Sequence, residues 1–297
     1  MPYQTNTFSI VAYDPETGEL GVGVQSKFLA VGSLVPWAKQ GIGAIATQAK
    51  TNSGFIEKAF SLLQDGMSPD NVISCLLQED PHGDIRQIGI VDSQGRSSAY
   101  TGSNCVGWAG HRRGKNYCCQ GNVLLGKIVL DTMSEAFEQT RGDLADRLLA
   151  ALEAAQEAGG ERRGRQSAAL VVEKSFHGML GESHRYIDLR IDHSSWPIHD
   201  LKKLLQMHRV DYAPNHRDKF YPFEGETRER ILAILTNLGY IRILKDHDSL
   251  EDVLKRLSEK WDSTPAFCEK AINGNLVHHL VNMWYDTEYA GLQENPL

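Results

Sequence analysis

Thr7-Phe8-Ser9-Ile10-Val11-Ala12-Tyr13, Asp14-Pro15-Glu16-Thr17-Gly18 and Leu20-Gly21-Val22-Gly23-Val24 read as a strand, a turn and a returning strand. The proline sets φ at the turn and Gly18 supplies a positive φ, so the two apolar runs fold back as a hairpin. Gly21 and Gly23 fall two apart and share one face of the sheet. A face without side chains at those points admits the close approach of another layer or a ligand.

Working outward, Ser33–Trp37 and Gly41–Gln48 continue the sheet. The spacing predicts a helix from about Gly54 to Gln64, with Phe55, Ala59, Phe60, Leu62 and Leu63 on its apolar face. A second begins with Ser68 as N-cap, Pro69 at the first helical position and Asp70 in the first turn. Arg86–Asp92 and Arg96–Tyr100 form a further hairpin around Ser93-Gln94-Gly95. Helices follow over 127–138 and 142–158, the latter stopping at Gly159-Gly160, and strands return at Ser167–Val172 and Tyr186–Ile191. Helices in paired blocks between hairpins argue against a doubly wound parallel sheet. They suit an α+β fold in which two antiparallel sheets stack face to face with helices outside each.

Composition changes at His193-Ser194-Ser195-Trp196-Pro197. Beyond it, helices are expected over Leu201–Val210 (capped by Asp200), Glu226–Leu238, Leu250–Trp261 and Phe267–Trp284. The 297 residues suit two domains of ~100–200 residues each. The expected division is 1–193 for the sandwich and 198–297 for a small all-α domain.

The net charge of −7 argues against nucleic acid or an anionic membrane as partner. No run approaches the ~20 apolar residues of a membrane span. Met1–Asn6 has neither a basic n-region nor an apolar h-region, so no signal peptide is expected there. The five cysteines show irregular spacing and no CxxC, which suits reduced thiols and a cytoplasmic protein. His278-His279 and His82-Gly83-Asp84 lack metal-ligand spacing, so neither metal nor cofactor is expected. The expected partners are a small-molecule substrate and further copies of the chain.

Four segments could carry chemistry. Thr7 at the head of the first strand is either an ordinary β-branched strand residue or a nucleophile whose own α-amine serves as base once it is the first residue of the chain. Gln25-Ser26-Lys27 places a lysine beside a hydroxyl; the plainer reading is an exposed loop lysine. Residues 102–126, with Trp108, His111, Arg112, Arg113 and Asn122 among many glycines, suit anion binding by backbone N–H groups or a long connection between strands. Arg162-Arg163-Gly164-Arg165, ahead of Ser167, offers forked donors for a carboxylate or phosphate, or else a solvated turn.

Taken together, Thr7–Ala12, Asp14–Gly18, Gln25-Ser26-Lys27, Val35-Pro36-Trp37-Ala38, Ala46-Thr47-Gln48-Ala49, Gly107–His111, Gln120-Gly121-Asn122 and Arg163–Ala169 resemble the domain-of-unknown-function family 1028. That family is placed among the N-terminal-nucleophile (Ntn) hydrolases. The resemblance covers about residues 7–192 and implies a four-layer αββα sandwich. A weaker likeness to proteasome β-subunits implies Thr7 as nucleophile, an oxyanion hole near Thr47-Gln48, and Ser26, Lys27 and Ser167 as supporting groups. Those proteins carry an acidic residue where Gln25 stands. Their catalytic lysine falls near Val35-Pro36-Trp37, so Lys27 or Lys39 would have to replace it.

On this reading the catalytic set is Thr7, Ser26, Lys27, Thr47, Gln48 and Ser167, and the substrate-binding set is Trp108, His111, Asn122, Arg163 and Arg165. The reaction expected is hydrolysis of a small amide, which requires cleavage after Asn6. The alternatives are a non-catalytic binding or assembly protein on the same scaffold, and an internal nucleophile such as Ser9, Ser26 or a cysteine. The stretch Pro197–Leu201, followed by Leu204, Leu205 and His208, resembles a peptidoglycan-binding module.

Overall fold

A computed structural model describes residues 6–178, 181–212, 220–240, 249–260, 267–268, 271–274, 276–277 and 280. The chain divides into two compact units, Met1–Leu204 and Leu205–Leu297.

In the first unit the opening hairpin forms as its sequence dictates. Strands β1 (Thr7–Tyr13) and β2 (Leu20–Ser26) pair antiparallel from Thr7 opposite Ser26 to Tyr13 opposite Leu20. Gly18 takes φ 73° at the turn. The next strands are β3 (Pro36–Lys39), β4 (Gly43–Ala49), β5 (Arg86–Asp92) and β6 (Ser97–Thr101). They are followed by β7 (Trp108–Gly114), β8 (Tyr117–Leu124), β9 (Ser167–Gly178) and β10 (Gly181–Ile191). They build a six-stranded sheet, β10-β9-β2-β1-β8-β7, and a four-stranded sheet, β3-β4-β5-β6. Every pairing in both is antiparallel. The unit is thus mixed α+β.

Alternation along the strands decides what each sheet face meets. Val11, Val22 and Val24 of the larger sheet share one apolar core with Ala44, Ala46 and Val91 of the smaller, so these faces pack on each other. The intervening residues Ile45, Ile88 and Ile90 pack with Phe55 and Phe60 of α1 (Gly54–Gln64) and Val72 and Leu76 of α2 (Pro69–Gln78). Ser68 caps α2 through Asn71 N, and Pro69 opens it. Helices α3 (Lys127–Gln139) and α4 (Leu144–Glu157) pack together, and α4 lies on the glycine face of β2. A Cβ on Gly21 would stand 2.7 Å from Leu148 Cδ1, and one on Gly23 would stand 3.3 Å from Leu152 Cδ1. The missing side chains of β2 admit a helix there.

Within residues 102–126, read from sequence as a glycine-rich segment or connection, Trp108–Gly114 and Tyr117–Leu124 form the hairpin β7–β8. Positive φ at Gly107 (68°) and Asn116 (66°) makes the turns. All eight residues of β8 are buried. Its Cys118-Cys119-Gln120-Gly121-Asn122 composition conceals an interior strand whose Gln120 Nε2 and Asn122 Nδ2 donate to Ser9 and Gln87, while Gln120 Oε1 has no partner among the described residues.

The second unit holds α6 (Gly225–Asn237) and α7 (Leu250–Lys260), while α5 (Pro197–Tyr212) runs across the division between units. It is not all-α. Strands β11 (Phe220–Pro222), β12 (Phe267–Cys268) and β13 (Ala271–Asn273) form a sheet in the order β11-β13-β12. The helix expected over Phe267–Trp284 is replaced at its start by an antiparallel strand pair, Phe267 opposite Ile272. Ile272 is buried in one core with Leu254 and Leu257 of α7; tertiary burial there overrides helical periodicity. His278, His279 and Trp284 lie outside the described residues. Among the described residues no helix is long and apolar enough to cross a membrane.

Leu152 is wholly buried and fills the space above Gly23. Leu152→Ala is expected to destabilise the first unit by about 2–5 kcal/mol, read as a lower urea midpoint with an unchanged denaturant slope.

Candidate functional site

The face between the two sheets is apolar in the middle and polar at one end, and strand register sets both. Inward positions on β1 run Thr7, Ser9, Val11. Ser26 stands opposite Thr7 and Gln120 opposite Ser9; the same β1–β8 register carries Asn122 to the row of Thr7. On the facing sheet Gln48 lies opposite Gln87, and Gln87 opposite Thr101. Thr7, Ser9, Ser26, Gln48, Gln87 and Gln120 are all wholly buried.

Buried amides must find partners, and these bridge the sheets. Gln87 Nε2 donates to the carbonyls of Gly121 (2.8 Å) and Gly110 (3.1 Å) and to Thr101 Oγ1 (3.0 Å). Its Oε1 therefore faces the other way and accepts from Gln48 Nε2 and Asn122 Nδ2, both at 2.9 Å. Ser9 Oγ donates to Gln48 Oε1 and accepts from Gln120 Nε2, each at 2.6 Å. Gly89 makes room for this: a Cβ there would meet Gln120 Oε1 at 2.1 Å.

At the outer end of the network, Thr7 Oγ1 donates to Ser26 Oγ (3.2 Å), and Ser26 Oγ donates to the Asn6 carbonyl oxygen (2.5 Å). The Asn6 side chain is also buried. Its amide satisfies its neighbours with the oxygen toward the Arg163 guanidinium, whose nitrogens lie 2.5–2.9 Å away, and the nitrogen donating to Asn122 Oδ1 at 3.2 Å. Arg163 Nε donates to Glu161 Oε1 (2.6 Å), and Lys27 N donates to Glu161 Oε2 (2.7 Å). The Glu161 side chain is 0% exposed. Burial pushes its carboxyl above the ordinary value, against the opposing pull of Arg163 and the Lys27 N–H.

The structure therefore gathers Thr7, Ser26, Gln48, Asn122 and Arg163 from the sequence-derived set. Others lie elsewhere. The Lys27 side chain is exposed, with Nζ 3.5 Å from the Arg165 carbonyl. Thr47 alternates onto the helix side of its sheet; its N–H donates to Val35 O (3.3 Å), and its buried hydroxyl has no hydrogen-bond partner among the described residues. Ser167 stands opposite Ser26, but its hydroxyl donates to Phe28 O (2.5 Å) and accepts from Val31 N (3.1 Å), pinning the turn after β2. His111 joins the network only through Thr101 Oγ1 (2.9 Å); burial, then Arg113, lowers its pKa. Trp108 lies over Gly110 at the sheet edge. Arg165 stacks on Trp196 at 3.4 Å and borders a separate surface cleft with Gln156 and His199.

The thiols of Cys118 and Cys119 are buried and pushed up by burial, Cys119 to about 12, so neither supplies a thiolate at neutral pH. Among the described residues no cluster of His, Cys, Asp and Glu is arranged to hold a metal ion.

Residues 7–201 match the model of the family described as "Family of unknown function (DUF1028)". The chain belongs to DUF1028. It is also similar to a solved crystal structure of a DUF1028 protein, SPO2555 from Silicibacter pomeroyi. The two are 29% identical with a TM-score of 0.62, over 76% of this chain and 93% of the other. No curated protein matches this chain. The DUF1028 match begins on Thr7, the residue at the end of the hydrogen-bond chain.

Asn6, Gln87, Gln120 and Glu161 escaped the sequence reading as site residues. Ser9 and Gln120 do leave a trace, as polar residues at inward positions of otherwise apolar strands. Glu161 leaves none, since its partners are Lys27 and Arg163.

Gln87→Leu strands the Asn122 Nδ2 donor and leaves Gln48 Nε2 only its longer contacts to Gln120 O (3.3 Å) and Thr7 O (3.4 Å); it is expected to destabilise the unit by about 1–3 kcal/mol, which urea unfolding checks. Because the folded chain holds the Glu161 proton to higher pH than the unfolded chain does, the stability contributed by this group is full below the unfolded value of 4.5 and falls as pH rises through the folded one. Glu161→Gln should flatten that fall. Its stability relative to the parent should therefore improve between pH 4.5 and 7, as read from paired urea midpoints.

Proposed function

We propose that the first unit is an Ntn-type αββα sandwich and that the chain is the precursor of a small-amide hydrolase, matured by cleavage between Asn6 and Thr7. The observation that carries this reading is the Ser26 hydroxyl on the Asn6 carbonyl oxygen at 2.5 Å, with Thr7 Oγ1 behind it. A hydroxyl donating to that oxygen polarises the carbonyl and stabilises negative charge developing there.

Maturation runs as an acyl shift followed by hydrolysis. Thr7 Oγ1 attacks the Asn6 carbonyl carbon, the Oγ1–C bond forms, the C–N bond to Thr7 breaks, and the hydroxyl proton passes to the departing nitrogen. Water then hydrolyses the Asn6–Thr7 ester, restoring the hydroxyl and leaving a Thr7 α-amine. An α-amine near its ordinary pKa of ~8 is a competent base. In the mature chain it takes the Thr7 proton as Oγ1 attacks an amide, and Ser26 holds the new oxyanion where the Asn6 oxygen stood. Ser26 replaces the backbone groups at Thr47-Gln48 in this role, because the Thr47 N–H is engaged by Val35 O.

A second reading, a non-catalytic binding protein, is favoured by the complete burial of Thr7 in the intact chain and by the outward course of Lys27. Intact-mass measurement of purified protein separates the two. A species beginning at Thr7 is expected, absent in Thr7→Ala and formed about 10²–10³-fold more slowly in Ser26→Ala. A chain that stays intact through prolonged incubation would favour the binder.

A further inference from the structure

The Asn6 side chain sits in a socket whose hydrogen-bonding polarity is set from behind. Gln87 Nε2 is committed to two main-chain carbonyls and a threonine, so its Oε1 must be the acceptor for Asn122 Nδ2. Asn122 is thereby obliged to turn Oδ1, an acceptor without a proton, toward Asn6. Opposite it, Arg163 presents N–H donors, and its positive charge is already balanced by Glu161 at 2.6 Å. One wall accepts, the other donates, and the socket as a whole carries no net charge. A carboxamide satisfies both walls at once. A carboxylate would direct a lone pair at Asn122 Oδ1 and bring a negative charge beside Glu161; an alkyl group would leave both walls unpaired.

From this complementarity we infer that the socket is the specificity site for substrate, and that it selects a compound bearing a primary carboxamide or ureido group next to the amide that is cut. The substrate assignment rests on the maturation proposed above, which would remove Asn6 and vacate the socket with the Thr7 hydroxyl beside it. Arg163 and Asn122 touch the bound group, while Gln87 is a positioning residue that fixes which way Asn122 points. The same polarity accounts for an asparagine at position 6: the departing segment fills the socket with the group that the substrate later brings.

Chemical rescue in the full-length chain tests the socket without any turnover. Asn6→Gly is made in a Thr7→Ala background, so that every chain stays intact, and thermal unfolding is followed against acetamide and acetate. Acetamide should raise the Tm of the Asn6→Gly chain saturably, should leave the Thr7→Ala parent unmoved, and should act at concentrations about tenfold or more below any specific effect of acetate. Adding Asn122→Leu or Arg163→Met should abolish the shift. Acetate as effective as acetamide, or no amide-specific shift in the folded variant, would overturn the inference. Should Asn6→Gly fail to fold, Asn6→Asp decides: a lower Tm than the asparagine parent at pH 7 supports the socket's polarity, and an equal or higher Tm refutes it. Failure of maturation is seen separately, as a missing Thr7 N-terminus by mass, and leaves these binding results to stand or fall by themselves.

Discussion

The carboxamide of Gln87 is the constraint on which the site depends. It is wholly buried between two sheets, and its nitrogen is committed to Gly110 O, Gly121 O and Thr101 Oγ1. Its oxygen can then only accept, and it accepts from one residue of each sheet, Gln48 and Asn122. A buried amide left partly unpaired costs more than a solvated one, so the arrangement has a single low-energy orientation. That orientation passes outward, through Asn122 to Asn6 and through Gln48 to Ser9. A single buried amide thus decides which side of the site gives hydrogen bonds and which receives them.

The apolar core and the polar network are two ends of the same interface. Val11, Val22, Val24, Ala44, Ala46 and Val91 hold the sheets together by burial, which is non-directional and tolerant of small shifts. The amide network is directional and tolerates little. Gly89 on the facing sheet reconciles them, since only a residue without a Cβ leaves room there for the Gln120 side chain, whose Oε1 would lie 2.1 Å from a Cβ at that position. Asn6 lies at the polar end, where it and Thr7 are both buried.

Much of the fold could be read from the chain because its signals are local. The turn at Gly18, the Ser68-Pro69 helix start and the bare face of Gly21 and Gly23 each act within a few residues. Two segments misled. Residues 107–124 have the composition of a loop but form a hairpin, because the partners of their polar side chains lie far along the chain: Ser9 for Gln120, Gln87 for Asn122, Asp131 for Arg112 and Asp70 for Arg113. Phe267–Ile272 follows helical spacing but pairs as strands, because the burial of Ile272 against α7 outweighs local preference. Within the site, Thr7, Ser26, Gln48, Asn122 and Arg163 were marked by motif. Thr47 was marked as well, for its backbone N–H, but that group donates to Val35 O.

By itself the sequence determined the antiparallel hairpins, the paired helices between them and a polar head on the first strand, since these follow from turn chemistry, capping and periodicity along contiguous residues. Only the tertiary structure decided which polar groups meet. Lys27 N and Glu161 are 134 positions apart, and Gln120 and Ser9 are 111 apart; register and face-to-face packing bring them within hydrogen-bonding distance. The direction of each amide was decided there too, because an asparagine or glutamine carries donor and acceptor alike until its neighbours choose between them.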